Sequence, residues 1–356
     1  MLPAESMPPA RARIADGLPA AIDAVAARAA PGHGFLRAGW FAAALHAYGG
    51  RARTVVVEEG GVATCALPFV GMGPRRARLA AVPGSYWPFR SFPLAQGAST
   101  ATLDAALATL AGAVNGLRIG PVYDDDPAAA ALLAAARARG WAVLDRFVAD
   151  SWLLDMAALQ AEGGWPRGST LRKNRFHEKH LASHGVAEWR FLSGDDWPAA
   201  FDALAQIEAV SWIAARTDGS DAKFTATGHG AFWRAAAADP GIAAMLRAAL
   251  LTIDGTPAAF SFDIDAGDLK YAIANSYDPA YAKHSPGKLL YYRNLVEALG
   301  RGITRVDWGA GDSGYKQVIG ADRGPAIRDW LLLRPGLPAL VGRLARGAWR
   351  RSGQGG

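Results

Sequence analysis

The stretch Asp268–Lys316, DLKYAIANSYDPAYAKHSPGKLLYYRNLVEALGRGITRVDWGAGDSGYK, decides how this chain is read. It predicts a strand, a turn that opens a helix, and a second strand ending in a corner rich in Gly and Asp. Ser285-Pro286-Gly287-Lys288 starts the helix. Ser285 suits an N-cap, Pro286 suits the first helical position, and Gly287 lets a ligand approach the backbone. Open amides at such a start, with the helix dipole, attract anions, and Lys288 adds a charge. The four residues also fit an ordinary capped helix, so their neighbours must decide.

The chain has 356 residues, of which 51% are apolar and 20% charged, the profile of a globular protein large enough for two domains. Its net charge of +6 suits anionic partners such as phosphorylated cofactors, lipid headgroups or RNA. With Cys65 alone, an intramolecular disulfide and a Cys-rich metal site are excluded. The seven histidines are scattered and neither H-E-x-x-H nor a Walker or Rossmann glycine pattern occurs, so no metal is expected. The residues before Gly32 lack the apolar core of a secretory signal, and no run is apolar enough to span a bilayer, which predicts a cytoplasmic protein.

Outward from the central stretch, the periodicity predicts a mixed α/β chain in two similar halves. The expected divisions are a loosely ordered arm over 1–30, a first lobe over 31–160, a basic connecting segment over 161–185, a second lobe over 186–335 and a basic tail over 336–356. VEEGGVATCALPF (57–69) shares the plan of TIDGTPAAFSFDI (252–264), and RARGWAVLD (137–145) that of LGRGITRVD (299–307). The first plan is strand, acidic Gly turn, strand; the second is helix end, Gly, strand, Asp. The unequal offsets indicate shared architecture rather than a fixed repeat. The run Leu171–His180 reads as a solvated helix face or as a phosphate-contacting segment.

This order of parts resembles the GNAT superfamily, and more specifically the two-domain FemABX-like, BioF2-like (CelD-type) N-acyltransferases. The likeness is carried by the hairpin Leu246–Phe262, the strand Tyr271–Tyr277, Asp278, the SPGK start, the helix to Gly300 and DWGAGDSGYK, with Tyr315-Lys316 at the family's aromatic-Lys pair. It covers roughly residues 170–335, and the first half matches in coarse order only. The chain departs from common acetyl-CoA-binding members in having SPGK where they carry an Arg/Gln-x-x-Gly-x-Gly/Ala loop.

The resemblance implies tandem GNAT-like lobes of α/β (α+β mixed sheet) class. It also implies acyl transfer from an acyl-CoA thioester to an amine by direct attack. Such a reaction needs a polarised carbonyl, a deprotonated amine and a stabilised thiolate. The thioester would lie along Ala272–Ser276, its carbonyl near Ala274, Asn275 and Ser276, and the coenzyme A pyrophosphate at Ser285, Gly287 and Lys288. His284, Asp307, Asp312 and Tyr315 are the candidates for proton handling. His284 alternatively is a loop histidine, and Asp307 alternatively caps the Gly309–Gly311 corner. Lys316 would steady an oxyanion, hold a phosphate or pair with Asp307 or Asp312. Glu208, Trp212 and Arg216, about one helical turn apart, would line the acceptor side. Cys65 reads as a buried small apolar residue rather than a nucleophile.

The tail PGLPALVGRLARGAWRRSGQGG sets Leu337, Leu340, Val341, Leu344 and Ala348 on one helical face and Arg343, Arg346 and Arg350 on another, with no acidic residue after Asp329. That pattern suits either an interfacial helix on anionic lipid through 337–351 or a terminal helix docked on its own domain. An interfacial tail would favour a lipid amine, such as a sphingoid base, as acceptor, with an envelope precursor as another choice. Two rivals remain: an aminoacyl-tRNA-dependent FemABX-type peptidyl transferase, the one reading that involves nucleic acid, and a non-catalytic module of envelope polysaccharide assembly.

Overall fold

The computed structural model describes residues 10–85, 90–211, 221–226, 228–311 and 314–352. It divides into two compact units, Met1–Asp150 with Pro325–Gly356, and Ser151–Gly324. The division differs from the expected lobes at both ends: the first unit also takes back the strand and helix after residue 325.

In the first unit the chain runs β1 (Arg11–Asp16), α1 (Ala21–Ala26), α2 (Ala38–Tyr48), β2 (Ala52–Glu59), β3 (Val62–Met72), β4 (Leu79–Ala81), α3 (Thr100–Ala113), β5 (Gly116–Tyr123), α4 (Pro127–Ala138) and β6 (Ala142–Asp155). The second unit receives residues 151–155 of β6 and continues with α5 (Met156–Ala161), α6 (Gly168–Leu181), β7 (Ala187–Ser193), α7 (Ala200–Val210), α8 (Gly230–Ala237), α9 (Pro240–Ala243), β8 (Leu246–Ile253), β9 (Thr256–Ala266), β10 (Leu269–Tyr277), α10 (Pro286–Gly300), β11 (Arg305–Ala310) and α11 (Tyr315–Ile319). β12 (Asp322–Leu333) carries the chain back to the first unit, which ends in α12 (Leu337–Arg351).

Strand order in the first unit is β1-β2-β3-β4-β5-β12-β6, with β4 and β5 parallel. Residues 10–30 are not a loose arm: β1 pairs with β2 from Arg11↔Glu58 to Asp16↔Arg53, and α1 buries Ile22, Val25 and Ala26. The charged and apolar residues of 11–14 alternate with the period of two of an edge strand, a short signal masked by the Ala-, Pro- and Arg-rich surroundings.

In the second unit the order is β6-β11-β10-β9-β8-β7, with β10 and β11 parallel and the remaining pairs antiparallel. α10 covers this sheet. Leu289 and Leu290 pack with Leu251 and Ala259, while Tyr291, Leu295 and Ala298 pack with Val306 and Trp308. Burying one large aliphatic side chain contributes about 1.5–3 kcal/mol, so α10 is held by its face rather than by its ends.

Among the described residues the two halves of the chain follow the order β-α-α-β-β-β-α-β-α-β, from β1 to β6 and from β7 to β12, α9 being a one-turn addition in the second half. The 57–69 and 252–264 fragments occupy equal places, the β2–β3 and β8–β9 hairpins. Their turns share chemistry too: Gly60 and Gly61 on one side, Asp254 and Gly255 on the other, all at positive φ. The other pair does not correspond. Residues 137–145 join the fourth helix position to the last strand, whereas 299–307 join the third helix position to the strand after it. A helix that stops at Gly and feeds a strand is generic chemistry, which is why the two fragments look alike.

Candidate active site

The site lies where β10 and β11 part. Their parallel ladder runs Leu269↔Arg305, Lys270↔Val306 and Tyr271↔Asp307, then stops. Two local causes are visible. On β10 the register against β9 shifts between Ala272 and Ala274, a bulge that twists the strand. On β11 the Asp307 carboxylate accepts the Gly309 N–H at 2.6 Å, and Gly309 has φ +56°, so the strand bends and its register against β6 shifts before Ala310. Beyond Tyr271 the β11-facing edge of β10 is therefore open, and Ala274 and Asn275 on it are half-buried. Ser276 is buried, and its hydroxyl has no partner among the described residues.

A buried polar network holds this edge from below. Lys270, fully buried, lies 2.8 Å from Asp265 and 3.3 Å from Asp263. Asn294 of α10 donates to Asp263 at 2.6 Å and to the Ser261 hydroxyl at 2.8 Å. Burial pushes the Asp263 carboxyl above the usual range, with Lys270 opposing the rise. Sequence reasoning missed this network; its signal was the single charged residue of the strand Leu269–Tyr277, Lys270, opposite the Asp263–Asp265 pair.

The turn into α10 differs from expectation in two respects. Ser285 does not cap with its side chain. It sits in the left-handed region (φ +51°, ψ +49°) at the end of a 3-10 turn over Pro279–His284, and its carbonyl accepts the Lys288 and Leu289 N–H groups at 3.0 and 3.1 Å. The capping side chain is Asp278, which accepts the Ala280 N–H at 2.8 Å. Gly287 serves the protein's own packing: a Cβ there would meet Asn275 Oδ1 at 2.8 Å and Tyr277 Cδ1 at 2.9 Å. The Asn275 amide donates to the Gly287 carbonyl at 3.1 Å, tying helix to strand. The donor groups at this start are thus the Gly287 N–H and the half-exposed Lys288 ammonium.

His284 is hydrogen-bonded, Nε2 to Nε2 at 2.9 Å, to His184, which follows α6. Its ring also stacks on His180 at 6.4 Å between centroids. Desolvation, then repulsion from His184, His180, Lys283 and His177, holds its imidazolium below the ordinary histidine range. Among the described residues no three His, Cys, Asp or Glu side chains gather as a metal site would need.

Lys316 is buried, and its ammonium donates to the carbonyls of Trp308, Ala310 and Gly311 at 3.1, 3.2 and 2.5 Å. These three bonds let the ammonium clamp the β11 corner, a structural role beside the expected one on an oxyanion or phosphate. Asp307 takes its capping alternative. Asp312 lies outside the described residues, as does the Tyr315 side chain.

Glu208 in α7 is buried, and its carboxylate accepts the N–H groups of Lys223 and Phe224 at 2.9 and 2.8 Å. Burial raises its carboxyl above the usual range, against these hydrogen bonds. Glu208 thus anchors residues 221–226 instead of offering an open carboxylate to an acceptor. Nearby, burial and then Lys223 lower the His229 pKa to about 4. Trp212 and Arg216 lie outside the described residues.

Comparison with known proteins fits this geometry. Residues 168–317 match the family model of an acetyltransferase (GNAT) domain. Among solved structures the chain is similar to FemX, with TM-score 0.60 and 11% identity over 91% of this chain and 97% of that one. It is similar to a conserved protein of unknown function from Bacteroides thetaiotaomicron VPI-5482, with TM-score 0.55 and 12% identity over 90% and 100% of the two chains. It is also similar to the C-terminal domain of a putative lysylphosphatidylglycerol synthetase from Agrobacterium fabrum, with TM-score 0.51 and 13% identity over 94% and 96%. Identities this low speak for a shared fold alone. No curated protein matches the chain.

Proposed function

We propose, for a chain whose residues 168–317 are a GNAT domain and which is therefore an acyltransferase of FemABX-like fold, that the donor is an acyl-CoA and the acceptor an amine. The amine nitrogen attacks the thioester carbon, the carbon–sulfur bond breaks, and an amide and free coenzyme A result. The attack is direct, without an acylated enzyme. The observation that carries this reading is the parting of β10 and β11 after Tyr271 and Asp307, which leaves a backbone edge where a thioester carbonyl can be polarised. On this reading the carbonyl sits near Ala274 and Asn275, and the pyrophosphate meets the Gly287 N–H and Lys288. Asp307 and Lys316 position the β11 corner. Held neutral at pH 7, His284 is the described residue best suited to take the ammonium proton, with Asp312 as the other candidate.

The acceptor we favour is an amphiphilic amine. α12 docks on the first unit through its small face, Ala339 and Gly342 lying against Leu333 and Leu144. Trp349 packs inward, whereas Leu337, Leu340, Val341 and Leu344 are exposed, Leu337 to 73% and Leu344 to 82%. With Arg343 and Arg351 nearby, this surface supports a peripheral contact with anionic lipid, and so a place at the inner face of the membrane. Among the described residues no helix is long and apolar enough to cross a membrane.

One observation favours a second reading, aminoacyl transfer from tRNA: α6 exposes Arg172, Lys173, Arg175 and Lys179. Ribonuclease sensitivity of the activity and steeply salt-dependent tRNA binding would select it. The test of the main reading is a thermal-shift series of coenzyme A and acyl-CoAs of increasing chain length, followed by thiol release in the presence of amine pools. Stabilisation by acyl-CoA and amine-dependent thiol release are expected; an acylated side chain trapped during turnover would remove the direct mechanism.

A further inference from the structure

The first unit contains a cluster of positive charge that the acyltransfer reading does not use. Asp329 of β12 is buried and takes a two-pronged contact from Arg118 of β5, Nε to Oδ1 at 3.1 Å and Nη2 to Oδ2 at 2.8 Å. Arg146 of β6 donates to the same carboxylate. It also donates to the Ser352 hydroxyl at 3.0 Å, and its guanidinium lies 4.5 Å from the centre of the Trp349 ring. A third guanidinium, Arg90, is half-buried and feels both Arg118 and Asp329. Its Nε donates to the Ser85 carbonyl at 3.1 Å, and no carboxylate pairs with it among the described residues. Ser85 is fully buried, and its hydroxyl has no partner among the described residues.

Two guanidiniums thus share one carboxylate in a partly desolvated place, a third lies within their electrostatic reach, and the residue whose carbonyl holds that third one, Ser85, has a buried hydroxyl without a partner among the described residues. Such an arrangement is costly unless a further anion completes it. Desolvation, and then Arg118, lowers the Arg90 pKa, with Asp329 and Tyr48 opposing. The location is also apt. Ser85 and Arg90 follow β4, whose parallel pairing with β5 continues past its end through the Val82 N–H on the Arg118 carbonyl at 3.0 Å. By element order β4 and β5 stand where β10 and β11 stand in the second unit, yet they remain closed, so this place offers fixed charge in place of an open backbone edge.

We propose that Arg90, Arg118 and the Ser85 hydroxyl bind a phosphate group, free or as the monoester head of a small molecule. A dianion matches the excess of positive charge, and a tetrahedral oxyanion has acceptors enough for the guanidinium donors and the hydroxyl together. The inference does not depend on the donor reading, because its readout is phosphate binding rather than turnover.

The experiment is calorimetric titration of the full chain with inorganic phosphate, with glycerol phosphate and with acetate at constant ionic strength. Saturable binding of both phosphates, with acetate much weaker, is expected. R90Q should weaken phosphate binding at least about tenfold, the equivalent of one charge-assisted hydrogen bond, and S85A should weaken it several-fold. R76Q, which removes an exposed charge elsewhere in the unit, should bind like the parent. Where R90Q lowers the melting temperature without ligand, S85A decides. Absence of saturable phosphate binding, equal affinity in R90Q and S85A, or an equal loss in R76Q would overturn the proposal; binding of glycerol phosphate tighter than that of phosphate would identify an ester as the ligand.

Discussion

His184 and His284 share one hydrogen bond, Nε2 to Nε2 at 2.9 Å, and it links the end of α6 to the turn that opens α10. Two neutral rings, or one neutral and one charged, can make it; two charged rings cannot. His180 and His177 on α6, Lys283 on the turn and the Tyr281 ring, packed on His184, surround the pair, so most of the nearby charge is positive at low pH.

The pH dependence follows with a definite sign. His284 has a folded pKa below 6.5, so the unfolded chain takes up its proton first as pH falls. Its contribution is complete above about pH 6.5, declines as pH falls from there through its folded value, and is then gone. Urea midpoints at pH 7.5 and 5.5 should therefore differ less in H284Q than in the parent chain. An unchanged difference would show that the pair is not felt by the fold.

Gly287→Ala tests why α10 starts as it does. The added methyl meets Asn275 and Tyr277, so we expect a loss of about 1–3 kcal/mol in unfolding free energy. N275A alone should be mildly destabilising, and G287A/N275A should recover part of the G287A loss. Had Gly287 served only ligand approach, G287A would keep its stability and lose donor affinity alone.

For Lys316 the expectation is structural. K316M removes three hydrogen bonds to the Trp308, Ala310 and Gly311 carbonyls and should cost about 2–4 kcal/mol of stability. Chemical denaturation checks it. A K316M chain of full stability that is slow only in kcat would restore the oxyanion role.

The Lys270 network predicts an asymmetry. K270M leaves Asp263 and Asp265 without their buried cation and should destabilise by about 3–5 kcal/mol. K270M/D263N should regain a good part of that, because removing both charges is far less costly than removing one. Thermal or urea unfolding of the three variants is the check.

Much of the second unit was legible because its signals were local. The mostly apolar run Leu269–Tyr277, the apolar face of Lys288–Gly300 and the Asp254-Gly255 turn each follow from local pattern or turn chemistry. What could not be read depended on contacts distant in sequence. Arg11–Asp16 becomes a strand only because β2 offers it an edge. Gly287 looked like a residue facing a ligand until Asn275 and Tyr277 were seen against it. Lys316 and Glu208 carry charges that suggested chemistry, and both turned out to satisfy backbone groups. Asp312, Trp212 and Arg216 lie outside the described residues, so their proposed roles rest on sequence alone.

The central claim, that a thioester donor lies along the opened edge of β10 with its pyrophosphate at the start of α10, is tested most directly by hydrogen–deuterium exchange with and without a saturating acyl-CoA. The account predicts slowed exchange in peptides covering 272–277 and 286–289. Acyl-CoA binding that leaves both segments exchanging as in the ligand-free chain would contradict it.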